Sequence, residues 1–267
     1  MDNNDKRDWS QNHPPAWQLA AILAVVVMLL CGALGLVYFG IQTWRGLRQE
    51  QQVEATATAV AATAVVQEQS ALVRQAAQWP LVFGDDFAAD RGDWVLGPVD
   101  DEYSTIQVEI NGRYLWDATA KRDFIWRVWP SAQVVDDFYL AVEAQNLGDN
   151  RDMQYGLLFL LDDTAYYYFE VRDSGYFRLF SVVGQEWHEL LPYTESAAIR
   201  AGQPNRLEVV SVGDRFSLLI NGEIVGQSAG SYPARGQAGL VIGLAQAGES
   251  GLIAFDNFEL RAPQEQP

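Results

Sequence analysis

Two spacings of apolar residues divide the chain. From Leu19 to Ile41 the run is continuous, 23 positions without a charged side chain. From Leu81 onward, short runs of β-branched and aromatic residues are broken by Gly, Asn and Asp. A helix of 23 residues at ~1.5 Å each reaches ~34 Å, enough for a hydrocarbon core of ~30 Å. Trp17 and Trp44 flank the run, as headgroup-seeking indoles do. Residues 17–41 therefore read as a transmembrane helix with the lipid bilayer as partner, behind a short polar tail over 1–16. A signal-peptide core is shorter, ~7–15 residues. Cys31 follows Met28-Leu29-Leu30, without the small residue of a lipoprotein signal, and reads as a small apolar side chain in lipid. Lys6 and Arg7 on one flank tie with Arg45 and Arg48 on the other. The short leading tail favours a signal anchor with the C-terminal part outside.

Residues 42–79 are rich in Ala, Gln, Glu and Thr, with no proline before Pro80. Good helix formers without punctuation predict a helical stalk. Val53, Thr56, Val60 and Thr63 follow a 3-4-3 spacing. That spacing fits either a homodimer seam without leucine or a plain spacer.

Beyond Pro80 the period is two. Thr105–Ile110 and Arg113–Trp116 are strands around Asn111-Gly112, a pair that accepts the positive φ of a type I′ turn. Phe138–Gln145 is a strand; Gln154–Leu161 and Thr164–Val171 form a hairpin over Asp162-Asp163. Tyr176–Val183 and Glu186–Leu191 follow. Arg206–Val212, Arg215–Ile220 and Glu223–Gln227 form a meander with a second Asn-Gly turn at 221–222. Ala238–Ala245 and Leu252–Arg261 close the series. The fold class is all-β: a two-sheet antiparallel sandwich over 80–262, with a disordered tail over 263–267.

Charge narrows the function classes. Of 35 acids and 18 bases, residues 80–267 hold 29 and 13. That excess argues against nucleic acid, whose phosphates need clustered Lys and Arg. One cysteine excludes an intrachain disulfide and thiolate metal sites.

Particular residues carry a resemblance. Asp85-Asp86-Phe87 with Gly92-Asp93-Trp94 resembles the first strand of bacterial concanavalin A-like lectin/glucanase domains. So do Tyr155–Phe159, Tyr166–Val171 and Gly175–Leu179. Asn205–Val209, Gly213-Asp214-Arg215, Leu218–Gly222, Gly236–Leu240 and Ala254–Phe258 follow in an order similar to the laminin-G-like and 3-keto-disaccharide hydrolase branch. The resemblance covers 81–262 and implies a jelly-roll sandwich, here on a bacterial cytoplasmic membrane. It also implies sugar chemistry. The superfamily's glycoside hydrolases place carboxylates as Glu-x-Asp-x-x-Glu on one strand, so that two face one cleft. No strand here has that pattern: Glu170 and Asp173 are three apart across a turn, and Asp136-Asp137 and Asp162-Asp163 are adjacent. His188 stands without a nucleophile motif. No catalytic residue is assigned.

Strand parity supplies a binding reading. Tyr167, Phe169, Phe177 and Leu179 face the core, which leaves Tyr166, Tyr168, Glu170, Tyr176 and Arg178 on the open face, with Glu170 opposite Arg178. Aromatic rings stack on sugars and an Arg–Glu pair orients hydroxyls; the alternative is a cross-strand ion pair beside half-exposed tyrosines. Trp94 and Trp116 read as core, with one of Trp126 and Trp129 inside and the other outside. Sandwich modules of this resemblance hold a structural calcium where first and last strands meet, which points to Asp85, Asp86 and Asp256; the alternative is that these carboxylates satisfy turn amides. No other cofactor is implied. Three functions stand open: a tethered module for a glycan or protein ligand, an enzyme on sugars, and a structural envelope ectodomain.

Overall fold

The computed structural model describes residues 67–264 apart from 130–132 and 231, together with scattered positions between 17 and 64. The chain divides into two compact units, Met1–Val66 and Gln67–Pro267. In the first unit every described position is helical and exposed. No helix among the described residues is long and apolar enough to cross a membrane; several positions of the expected span Leu19–Ile41 lie outside them. The expected seam at Val53, Thr56, Val60 and Thr63 also lies outside them.

The second unit is a two-sheet antiparallel sandwich. One sheet runs β13 (Glu223–Ala229), β12 (Arg215–Ile220), β11 (Asn205–Val212), β6 (Phe138–Asn146), β15 (Ser250–Arg261), β4 (Tyr114–Ala120), β3 (Ser104–Ile110), β2 (Gly97–Asp100). β1 (Leu81–Asp85) pairs with the end of β15, Leu81 opposite Arg261 and Asp85 opposite Phe258. The other sheet runs β10 (Glu186–Glu195), β9 (Tyr176–Val183), β8 (Ala165–Arg172), β7 (Gln154–Leu161), β14 (Gln237–Leu244), β5 (Phe124–Val128).

Strict alternation builds the inner layer. In β3 and β4 buried and exposed residues alternate almost without fault, as a sheet with one wet face requires. Trp116 of β4 meets Trp126 of β5 at 4.4 Å between ring centres, joining the two sheets. Trp94 and Trp116 are buried and Trp129 is exposed, so Trp126 is the inner member of its pair. Phe255 and Phe258 are both buried although three apart. Asn257 takes a positive φ of 51° and the register slips between Asp256 and Glu259, which returns Phe258 to the core side.

Three points differ from the sequence reading. β3 and β4 are joined by the three residues 111–113, and Gly112 alone has positive φ. Asn111 therefore does not form a type I′ turn; the loop is the longer kind with one left-handed glycine. Two strands, β2 and β5, were not expected, because GPVD and FIWRV are too short to show a period. The compact unit also begins thirteen residues before Pro80. Residues 67–76 form a helix, and Val73, Ala76, Ala77 and Trp79 cover Tyr139, Ala141, Val210 and Leu219 on the outer face of the larger sheet. The end of the expected stalk is thus part of the sandwich, because those four sheet residues would otherwise be an apolar patch in water.

Candidate functional site

The outer face of the smaller sheet is built from alternate residues of β7 to β10. Tyr166, Tyr168 and Glu170 point out, while Tyr167 and Phe169 point in. Gly156 of β7 has no side chain, and the ring of Tyr168 lies over it; a Cβ there would stand 3.3 Å from the ring. Glu170 is opposite Arg178 in register. Arg178 Nε donates to Glu170 Oε2 at 2.6 Å, while Arg172 Nε and the Tyr193 hydroxyl donate to Oε1, each at 2.7 Å. The Arg172 and Arg178 guanidiniums lie 4.2 and 4.4 Å from the centre of the Tyr193 ring. Arg178 also covers Phe180, and Trp187 leans on Phe180 at 4.7 Å.

The result is a tiled surface. Tyr168 and Glu170 lie on the expected face but are fully buried under these side chains. They shape the face without being open to a ligand, which corrects the reading of both as contact residues. The reason is the length of arginine: its stem and planar head cover the carboxylate beneath. Burial pushes the Glu170 carboxyl up, against the pull of Arg178 and Arg172. Tyr176 is exposed at the far end, beside a smaller hollow with Arg172, Tyr193 and Asp152.

Beside the tile lies a cleft of about 580 Å³. Tyr166, Arg178 and Trp187 form one wall, and Ile125 and Arg127 of β5 the other. Gln154 lies at its side, and Asp101, Tyr103 and Asp123 come from two loops at its rim. Arg127 stands 4.6 Å over the ring of Tyr166. Burial pushes the Tyr166 phenol up and Arg127 opposes the shift. Amides of Ser104 and Tyr103 hold Asp101 below the usual carboxylate range. Trp187 is 54% exposed.

Of the expected ligand residues, Tyr166 and Arg178 line this cleft, and Tyr168, Glu170 and Tyr176 do not. Sequence reasoning missed Trp187 and Arg127. Trp187 stands opposite Val182, a register that strand parity could have supplied. Arg127 lies on the strand that was not expected.

The three carboxylates put forward for calcium have protein partners. Asp85 is buried; its Oδ1 accepts from the Phe87 amide at 2.9 Å, and its Oδ2 from the Trp94 indole at 3.0 Å. Arg91 closes on it at 2.8 Å. Phe87, at a positive φ of 48°, is held by this bond inside the ring cluster of Trp94 and Tyr114. Asp86 and Asp256 accept from the amides of Ala88 and Asn257. Among the described residues no three His, Cys, Asp or Glu side chains gather to hold a metal.

No protein-family profile matches the chain, and no curated protein matches its sequence. Solved structures do match. The carbohydrate-binding module CBM66 from Bacillus subtilis is 18% identical, with 64% of this chain and 96% of that one covered and a TM-score of 0.49. SCLam, a non-specific endo-β-1,3(4)-glucanase of family GH16, is 12% identical over 70% and 92%, with a TM-score of 0.51. The catalytic domain of an endo-1,3-β-glucanase from Thermotoga petrophila is 10% identical over 70% and 99%, with a TM-score of 0.50. The second unit has the concanavalin A-like jelly-roll fold.

Proposed function

We propose that the sandwich is a non-catalytic glycan-binding module, carried outside a membrane by the apolar run Leu19–Ile41. The observation that carries the reading is Trp187. Its half-exposed indole borders a cleft walled by guanidiniums and a tyrosine ring. A flat apolar ring beside oriented donors suits a sugar, which has one apolar face and a rim of hydroxyls. Glycoside hydrolysis needs two carboxyl groups free to face the scissile bond. Both oxygens of Glu170, the acid buried in the adjoining wall, are engaged by Arg172, Arg178 and Tyr193. The glucanases that share the fold act on glycans by name; this supports sugar as the ligand class and leaves catalysis to be argued from the site. The anchor reading rests on 23 uncharged residues between two tryptophans.

A glycan array probed with the full-length protein in detergent tests the ligand class. Binding that is lost in Trp187→Ala and kept in Trp129→Ala supports it. Release of reducing ends from a bound glycan overturns the non-catalytic part. Partition into the aqueous fraction after carbonate washing overturns the anchor.

A further inference from the structure

The glycan reading leaves one question open in the cleft: its charge. Two guanidiniums line it, and they differ. Arg178 is paired with Glu170. Arg127 sits on the Tyr166 ring and, among the described residues, has no carboxylate within ion-pair distance. This is an unusual place for an unpaired cation. Residues 80–267 carry 29 acids against 13 bases, so counter-ions are plentiful, and Asp101 and Asp123 stand on the same rim. Asp101 is engaged by the amides of Tyr103 and Ser104. The ring face of Tyr166 is a weaker partner for a cation than a carboxylate is.

We propose that Arg127 receives the carboxylate of an acidic sugar, so that the cleft takes an oligosaccharide carrying one uronic acid. This rests on the glycan reading. Trp187 and Tyr166 stand opposite Val182 on its two sides, so they are about 10 Å apart, two strand spacings. One pyranose advances a chain by about one strand spacing, so a sugar stacked on Trp187 has the second unit further along its chain beside Tyr166, within reach of the Arg127 head that covers that ring. The fork of an arginine matches a carboxylate in two parallel bonds. Of the two guanidiniums in the cleft, Arg127 alone lacks a carboxylate among the described residues, and the rim acids and the acidic domain repel further negative charge. The fit is therefore to a single acid group and not to a polyanion.

The test is calorimetric titration of the full-length protein with three probes: a β-linked trisaccharide ending in glucuronate, its methyl ester, and the neutral parent trisaccharide. The acid is expected to bind about tenfold more tightly than the ester. Arg127→Gln removes that difference and Arg127→Lys keeps part of it, with thermal melts confirming that both fold. Trp187→Ala weakens all three probes alike. Equal binding of acid and ester, with the neutral parent also bound, overturns the carboxylate assignment and leaves the glycan reading standing. No binding of any probe, together with a silent glycan array, overturns both.

Discussion

Glu170 of β8 and Arg178 of β9 face each other in register, and their side chains meet at 2.6 Å with Glu170 fully buried. This pair is the keystone of the tiled face, because Arg172 and Tyr193 close on the same carboxylate. Removing the acid leaves two guanidiniums held together without a counter-charge. Glu170→Ala is expected to lower unfolding stability by about 3–5 kcal/mol in a denaturant titration. Arg172→Ala, which leaves Arg178 and Tyr193 on the carboxylate, is expected to cost less. Equal losses would mean that the carboxylate is not shared.

The helix over 67–76 makes a separate prediction. A chain beginning at residue 80 uncovers Tyr139, Ala141, Val210 and Leu219. It is expected to be less stable than a chain beginning at 67 by on the order of 2–4 kcal/mol. It should also bind a hydrophobic dye that the longer chain does not. Equal melting of the two would show that the helix is not part of the cooperative unit.

Tyr139 gives an alkaline signature. Its hydroxyl donates to Glu208 at 2.6 Å, and burial, followed by that carboxylate, pushes its pKa up to about 12. The unfolded phenol titrates near 10, so the folded form holds its proton more tightly. The stability is complete below pH 10 and is lost as pH rises from about 10 to 12, by roughly 2–3 kcal/mol. Tyr139→Phe should flatten that part of the stability curve. An unchanged slope between pH 10 and 12 would remove Tyr139 from the account.

Asp85 decides the calcium question. Its oxygens already receive the Phe87 amide, the Trp94 indole and Arg91. EDTA is expected to leave the melting temperature unchanged, while Asp85→Ala lowers stability by about 2–4 kcal/mol through two unpaired donors and a released aromatic cluster. A chelator-dependent fall in melting temperature would place a cation there after all.

The parts of the fold that were legible in the sequence are those where one face is wet. The alternation in β3 and β4 gave both strands, and parity along β8 and β9 put Glu170 against Arg178. It could not show that Glu170 is buried. Burial there comes from Arg172, Arg178 and Tyr193, whose long side chains close over the carboxylate. Parity names the direction of a side chain and is silent on what lies above it. The Asp85 and Trp94 spacing was visible as a resemblance, and its physical content is a hydrogen bond across nine residues. Arg127 was hidden because five residues of mixed character, FIWRV, have no readable period. A helix at 67–76 is legible in the sequence, but its docking depends on an apolar patch formed by three strands distant in sequence.

The pairing of Leu81 with Arg261 brings the way in and the way out of the sandwich together on neighbouring strands. Such an arrangement is modular in the engineering sense. The strands can be spliced into a surface loop of another protein through two adjacent joints, at the cost of the helix over 67–76 that covers the larger sheet. Their ends can equally be tied by a short linker and new ones opened elsewhere. Neither operation reaches the opposite sheet, where the cleft lies.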